Sequence, residues 1–299
     1  MNEKYRANTT TNTATRTDVS RLAANDITFD EASRWRTQRT TLVIWPSHAI
    51  SVGMGQSLTL HRHYATQISI SLGAPLQART RASGSYTEQQ SFIVGPNIPH
   101  QVETPGVPSF VLWSEARALA DLARRLKTAS ASELPALPED LLNVLLPVLL
   151  ASGGQVPDEQ AGQAILSHVL TTLIGPTWDE GPDDPRIATA RSLVTPQLLV
   201  EQSQPIPYLA THVHLSPSRF RHLFRGQMGM SVQSYLRWQR LIAALRTSAC
   251  GASLTEAAHA AGFADSAHLT RVFRATFGLP PSQIFKNSHA VQVISSAEC

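Results

Sequence analysis

A fragment near the carboxyl end of this chain is written twice, and a duplicated unit leaves few folds open. Phe224-Arg225-x-x-Met228-Gly229-Met230 recurs as Phe273-Arg274-x-x-Phe277-Gly278-Leu279, 49 positions later, and upstream Phe220 and Leu223 answer Leu269 and Val272. A repeated supersecondary unit is the economical reading. Each copy opens with a short helix rich in small apolar residues (Leu209, Ala210, Val213; Ala257, Ala258, Ala261), passes a brief turn and enters an arginine-bearing second helix. That pattern predicts a helix-turn-helix made twice.

The helix starts are legible residue by residue. Ser216 is a good N-cap and Pro217 suits the first helical position, whose N–H would be unpaired anyway. Phe220, Leu223 and Phe224 then fall at i, i+3, i+4 and form one buried stripe, which turns Ser218, Arg219, Arg221, His222 and Arg225 outward. In the second copy Asp265 caps, and Leu269, Val272, Phe273 and Phe277 face in. Ser266, Ala267, His268, Thr270, Arg271 and Arg274 face out. Gly229 and Gly278 stand where a left-handed C-terminal cap belongs. Neither exposed face carries a carboxylate beyond the cap, whereas an ordinary solvated helix mixes its charges. Charge is also segregated along the chain. Residues 185–299 hold ten Arg and one Lys against four carboxylates, a net +7, which leaves −4 for residues 1–184. A basic module tied to a mildly acidic partner is the footprint of phosphate binding.

The run Gly262-Phe263-Ala264-Asp265-Ser266-Ala267-His268-Leu269-Thr270-Arg271-Val272-Phe273-Arg274, followed by Phe277-Gly278-Leu279-Pro280-Pro281-Ser282, resembles the signature of AraC/XylS-type bacterial transcription regulators. Leu209-Ala210, Ser216-Pro217-Ser218 and Tyr235-Leu236-x-x-x-Arg240-Leu241-x-x-Ala244 fit the same pattern. The resemblance covers about residues 185–287. It implies two helix-turn-helix units on one linking helix, whose recognition helices (about 216–225 and 265–277) enter successive major grooves about 34 Å apart. Carried over by position, it places Ser218, Arg221, His222, Ser266, Ala267, His268, Thr270 and Arg271 at the bases. Arg219, Arg225 and Arg274 read as phosphate anchors.

Residues 40–113 switch to strand periodicity. Ile68, Ile70 and Leu72 alternate with Ser69 and Ser71, and Phe92-Ile93-Val94 and Phe110-Val111-Leu112 are short apolar runs set between Gly and Pro turns. Many short strands at this spacing predict a small barrel or jelly roll. Gly55-x5-His61-x-His63-x3-Gln67-x5-Gly73 and Pro96-x-x-Pro99-His100 resemble the two motifs of the cupin fold. In metal-binding cupins these supply three imidazoles and a carboxylate. Here Gln67 stands in the carboxylate's place, and a neutral amide is a poorer partner for a divalent ion. The readings left open for His61, His63 and His100 are hydrogen-bonded wall residues, effector contacts together with Gln67, and metal ligands. The weak donor set argues against the last, so no metal or cofactor is expected. Trp45, Tyr64, Tyr86 and Trp113 fit either a cavity lining or plain core.

Residues 115–176 return to helical spacing, with Leu119, Leu122 and Leu126 on one face, Leu141, Leu142, Leu145, Leu146, Leu149 and Leu150 on a broad second, and Ile165, Val169, Leu170 and Leu173 on a third. So many leucines call for packing either on the barrel or against a second subunit, and the family resemblance together with this leucine excess makes a homodimer a hypothesis to test.

The fold class expected is therefore α+β multidomain: an N-terminal cupin-like β-barrel or jelly roll with flanking helices, and a C-terminal all-α double helix-turn-helix domain. The divisions are a polar, Thr-rich arm over 1–38, the barrel over 39–114, helices over 115–177, and an acidic Pro/Gly linker over 178–185. The paired helix-turn-helix over 186–287 and a tail over 288–299 complete it. Cys250 and Cys299 lack metal or redox spacing, the amino end lacks a signal peptide's apolar core, and Leu141 to Ala151 is too short and interrupted to span a membrane. A soluble, cytoplasmic, non-enzymatic regulator is expected, with double-stranded DNA, an unknown small-molecule effector and, for an activator, RNA polymerase as partners. The competing reading is a cupin-type metalloprotein or metalloenzyme fused to a DNA-binding module.

Overall fold

The computed structural model of the chain describes residues 40–45, 47–81, 84–104, 106–126, 133–152, 156–176, 184–285 and 291–295. The expected arm over 1–38, most of the linker and the ends of the expected tail lie outside them. The first half is built from β1 (Thr40–Ile44), β2 (His48–Met54), β3 (Thr66–Ser71), β4 (Leu76–Arg79), β5 (Thr87–Gln89), β6 (Ser91–Val94), β7 (Gln101–Glu103) and β8 (Pro108–Ser114). They form two sheets, one ordered β6-β3-β8-β2-β1 and one ordered β5-β4-β7. Neighbours within each run antiparallel, with Ile68 opposite Leu112 and Ile50 opposite Leu112 on its other side. The arrangement is jelly-roll-like, and the described strands do not close into a continuous barrel. Within the segment expected as a tail, β9 (Val291–Ser295) lies parallel to β1 and extends the larger sheet at that edge.

The large sheet is covered on both faces. On one, Val43, Ile50, Ile68, Ile70, Phe110 and Leu112 pack under α1 (Arg117–Arg125), α2 (Glu139–Ala151) and α3 (Glu159–Ile174). This cover absorbs the leucine excess: Leu119, Leu142, Leu145, Leu149, Val169 and Leu170 are buried on the sheet within one chain. Gly162 is the point of closest approach, because a Cβ there would meet Val43 and Trp45 at 3.2 Å. Burying a Leu or Ile side chain contributes about 1.5–3 kcal/mol, so this layer is a major part of the stability of the β-rich half.

The other face bears Leu42, Ile44 and Ala49, and it packs against the carboxyl-terminal helices. Those are α4 (Pro185–Ser192), α5 (Pro196–Glu201), α6 (Pro205–His212), α7 (Pro217–Met228), α8 (Val232–Ala249), α9 (Leu254–Ala260), α10 (Ser266–Phe277) and α11 (Pro281–Phe285). Ser69 and Ser71, whose alternation with isoleucine suggests a wet face, are buried at 1% and 0% exposure. Cys250 is disulfide-bonded, contrary to the expectation from spacing; the chain's other cysteine is Cys299, outside the described residues.

Candidate nucleic-acid interface and sensor cluster

α7 begins as its sequence dictates. The Ser216 side chain accepts from the Arg219 N–H at 3.3 Å, Pro217 fills the first turn, and Gly229 closes the helix at φ 69° in the left-handed region. Phe220 and Phe224 are buried, their rings meeting edge-on at 5.7 Å, and Phe224 stacks on Tyr235 at 5.3 Å. The stripe anchored, Ser218, Arg219, Arg221, His222 and Arg225 are all exposed.

α10 repeats the plan with different detail. Asp265 accepts from the His268 N–H at 2.6 Å, and that N–H holds its carboxyl below the usual range. Leu269 and Phe273 face in, and Gly278 ends the helix at φ 76°. Ala267, Arg271 and Arg274 are exposed, while Ser266, His268 and Thr270 are half-buried. The Thr270 hydroxyl donates to the Ser266 carbonyl at 2.7 Å, and the His268 ring meets Phe263 edge-on at 5.4 Å. Those two side chains thus have local partners, which sequence spacing does not reveal.

α8 is the common scaffold. Its first turns give Val232, Tyr235 and Leu236 to the core of the first unit; Trp238, Leu241, Ala244 and Leu245 go to the core of the second. No acidic group stands in the first turn of α7, so its positive end faces outward without a carboxylate, whereas the Asp265 carboxylate offsets that of α10.

The sensor half gathers three of its expected residues tightly. His61, His63 and His100 are buried, with one ring nitrogen of each lying within 4.8 Å of the others. Burial, then repulsion from His63, lowers the His61 pKa to about 4; burial likewise lowers His63 and His100. Gln67 joins them: its Oε1 lies 2.8 Å from His63 Nε2 and 3.2 Å from His100 Nε2, and accepts from the Trp113 indole N–H at 3.1 Å. Its amide nitrogen donates to Ser69 Oγ at 2.9 Å. Trp113 donates only, so it fixes the Gln67 oxygen toward the rings. Trp113 therefore serves the cluster and lines the cavity beside it, whereas Trp45 belongs to the core under the helices.

The cupin likeness implies a divalent cation at this place, and the donors fit one. The Nδ1 atoms of His61, His63 and His100 lie 2.8, 2.8 and 2.9 Å from the carbonyls of Thr59, Ala65 and Ile98. A carbonyl can only accept, so each Nδ1 carries the ring proton and each Nε2 presents a lone pair, as second-shell bonds arrange for metal-ligating histidines. Gln67 Oε1 is a fourth neutral donor.

Next to the cluster, a cavity of about 140 Å3 lies between the two sheets and is lined by Leu42, Leu76, Val102 and Val111. The carboxyl-terminal module closes it with Trp238, Phe273 and Phe277. At the same seam sits a residue absent from the sequence-based expectations. Glu115, following β8, has its side chain buried, with Arg191 of α4 at 3.9 Å and the Gln239 amide of α8 donating at 3.3 Å. Burial pushes its pKa up to about 7, against the pull of Arg191. A lone acid after a strand carries no periodic signal, so only the fold reveals it.

Residues 209–287 match the family model described as a helix-turn-helix domain. The chain is 36% identical over 103 residues to the arabinose operon regulatory protein of Escherichia coli (strain K12), covering 34% of this chain and 35% of that protein. The carboxyl-terminal module carries a helix-turn-helix domain. Similarity at 30% identity extends over 128 residues to the transcriptional activator RhaR of Pectobacterium atrosepticum, 41% of this chain and 44% of that one. Regulatory protein PocR of Salmonella typhimurium is also 30% identical, over 129 residues. The chain thus spans well under half the length of these curated relatives. In fold, it resembles an apo form of ToxT from Vibrio cholerae with a TM-score of 0.50 at 11% identity, over 80% of this chain and 97% of that one. The likeness is one of fold, a β-rich half followed by a helical half, over most of the molecule. Among the described residues no helix is long and apolar enough to cross a membrane.

Proposed function

We propose that this chain is a sequence-specific, effector-responsive transcription regulator, and not an enzyme, whose α7 and α10 read successive major grooves of one duplex. The observation that carries the reading is the pairing on one scaffold of two helices that each have a side-chain N-cap and a left-handed closing glycine, and each an exposed arginine face that lacks carboxylates beyond the cap. Arg221 and Arg271 supply bidentate donors for guanine O6 and N7. Ser218 and Ser266 serve several bases, and Ala267 sits against a thymine methyl. His222 and His268 donate from one ring nitrogen when neutral. Thr270 reads through the lone pairs its intrahelical bond leaves free. Arg219, Arg225 and Arg274 neutralise phosphates and set register. RNA polymerase is the further partner of an activator, and a second copy of the chain the expected one for a palindromic or repeated site.

Effector binding acts by linkage. A molecule that fits one arrangement of sensor and module better than another shifts their populations, and its differential affinity limits the response. The cavity between the sheets supports this reading, because whatever fills it touches Phe273 and Phe277 of α10. A divalent cation, where bound, would be held by His61, His63, His100 and Gln67, and would supply a cross-link between the segments bearing them. The metalloenzyme alternative has less support, since among the described residues only three histidines, with no carboxylate or cysteine, come together there.

Titration of single-base operator variants tests the sorting of contacts. Arg221→Ala and Arg271→Ala are each expected to cost about 1–3 kcal/mol and relax preference at one base pair, whereas Arg225→Ala weakens all sequences alike and lowers the salt slope by about 1. Identical profiles for Arg221→Ala and Arg225→Ala would contradict the assignment.

A further inference from the structure

His63 and His100 each place both ring nitrogens against carbonyl oxygens. His63 faces Ala65 and Gln67 at 2.8 Å each, and His100 faces Ile98 at 2.9 Å and Gln67 at 3.2 Å. A neutral imidazole has one N–H, so in either tautomer one contact on each ring brings two lone pairs together. Turning the Gln67 amide over would offer its NH2 to both Nε2 lone pairs but would set it against the Trp113 N–H at 3.1 Å, so neither orientation satisfies all three neighbours. With Oε1 toward the Trp113 N–H, the two acceptor–acceptor contacts cost free energy that a positive ion among the three lone-pair atoms would remove. The separations of 2.8 and 3.2 Å between donor atoms suit a shared ion about 2.1 Å from each.

The same cluster grips the second recognition helix. Thr59, whose carbonyl receives the His61 ring N–H, sends both its backbone N–H (2.9 Å) and its hydroxyl (2.8 Å) to the Gly278 carbonyl that ends α10. One turn on, the Arg62 N–H reaches the Ala275 carbonyl at 3.4 Å. The fit is close enough that a Cβ on Gly278 would lie 2.7 Å from His61 Nδ1. His61 is also tied to His100 by reciprocal backbone bonds of 2.9 Å, so segment 59–62 is held between the cluster and the helix.

We propose that His61, His63 and His100, with Gln67 Oε1, bind one divalent first-row cation, and that its occupancy is transmitted through Thr59 to the carboxyl end of α10. The imidazole-rich, uncharged donor set suits Zn2+, Ni2+ or Co2+ over Mg2+ or Ca2+, which take hard oxygen ligands. The effect on DNA rests on the regulator reading above; metal uptake and its effect on the helix end do not.

The full chain, stripped by chelation and dialysed, is titrated separately with Zn2+, Ni2+ and Co2+. Bound metal is read by elemental analysis, protection of amides 275–279 by hydrogen exchange, and affinity for a duplex selected from a random pool by anisotropy. Expected are about one equivalent per chain for at least one of the three ions, slower exchange at 275–279, and a change in duplex affinity of at least about fivefold. His63→Gln and His100→Gln should lose the equivalent; Gln67→Glu should keep and tighten it, which guards against mere misfolding of the histidine variants. Thr59→Val should bind metal normally while its exchange and affinity responses shrink to under about a third. Uptake below a fifth of an equivalent for all three ions, or undiminished in the histidine variants, overturns the site. Full uptake with unchanged exchange at 275–279 overturns the coupling. Failure to bind any duplex, with uptake and protection as expected, would sink the regulator reading and leave this one standing.

Discussion

At the scale of single residues, glycines with the same backbone sign separate by what surrounds them. Gly229 and Gly262 both have left-handed φ, 69° and 74°, yet nothing lies within 4 Å of a Cβ on Gly229, whereas one on Gly262 would meet the Leu199 carbonyl at 2.5 Å. Gly229→Ala is expected to cost about 1 kcal/mol, the penalty of the conformation alone. Gly262→Ala must also push apart α5 and the turn before α10, and should cost at least about 2 kcal/mol more. Equal midpoints in urea denaturation would contradict this. Glu115 gives a pH dependence of definite sign. Its pKa in the fold, about 7, is raised above an ordinary 4.5, so the fold prefers the protonated form. The stability it contributes is present in full below 4.5 and fades as pH rises through 7, by about 3 kcal/mol. Glu115→Gln should flatten the change of melting temperature between pH 5 and pH 8 and raise it at pH 8; an unaltered slope would refute the assignment.

At the scale of elements, the signals that were local proved legible. Caps at Ser216 and Asp265, Pro217 at the first turn, the Phe220–Phe224 stripe and the closing glycines act within four residues of one another, and each stands in its expected place. Asp265→Ala should therefore destabilise the module by about 1 kcal/mol and fray the first turn of α10, detectable by hydrogen exchange at residues 266–269. Where a partner comes from far along the chain, the letters mislead. The serines alternating along β3 imitate a solvated face, but Ser69 looks onto a cavity closed by α8 and α10, more than 160 positions away, while the Ser71 hydroxyl is held by Gly73 and Ala74 of its own turn. β9 escaped notice because a short strand at a sheet edge is defined by its neighbour, β1, and not by its own pattern. His61, His63, Gln67 and His100 were legible as a set, since their motif spacing is tied to the strands. Their shared geometry was not, because the Trp113 N–H that orients Gln67 lies 46 positions from it.

At the scale of the molecule, the large sheet is the partition between two functions. One face is sealed by α1, α2 and α3; the other is closed by the helices that carry the arginines. A ligand or ion on that second side cannot bind without touching the elements that hold α10. Charge is divided along the chain as well, with a net +7 in residues 185–299 against −4 in the remainder. The account depends on α7 and α10 being presented together by α8. Hydroxyl-radical footprinting of the full chain on a selected duplex tests this most directly. Two protected patches are expected on one face of the helix, about 10 base pairs apart, with Arg221→Ala erasing contacts in one and Arg271→Ala in the other. A single patch, or two on opposite faces, would contradict it.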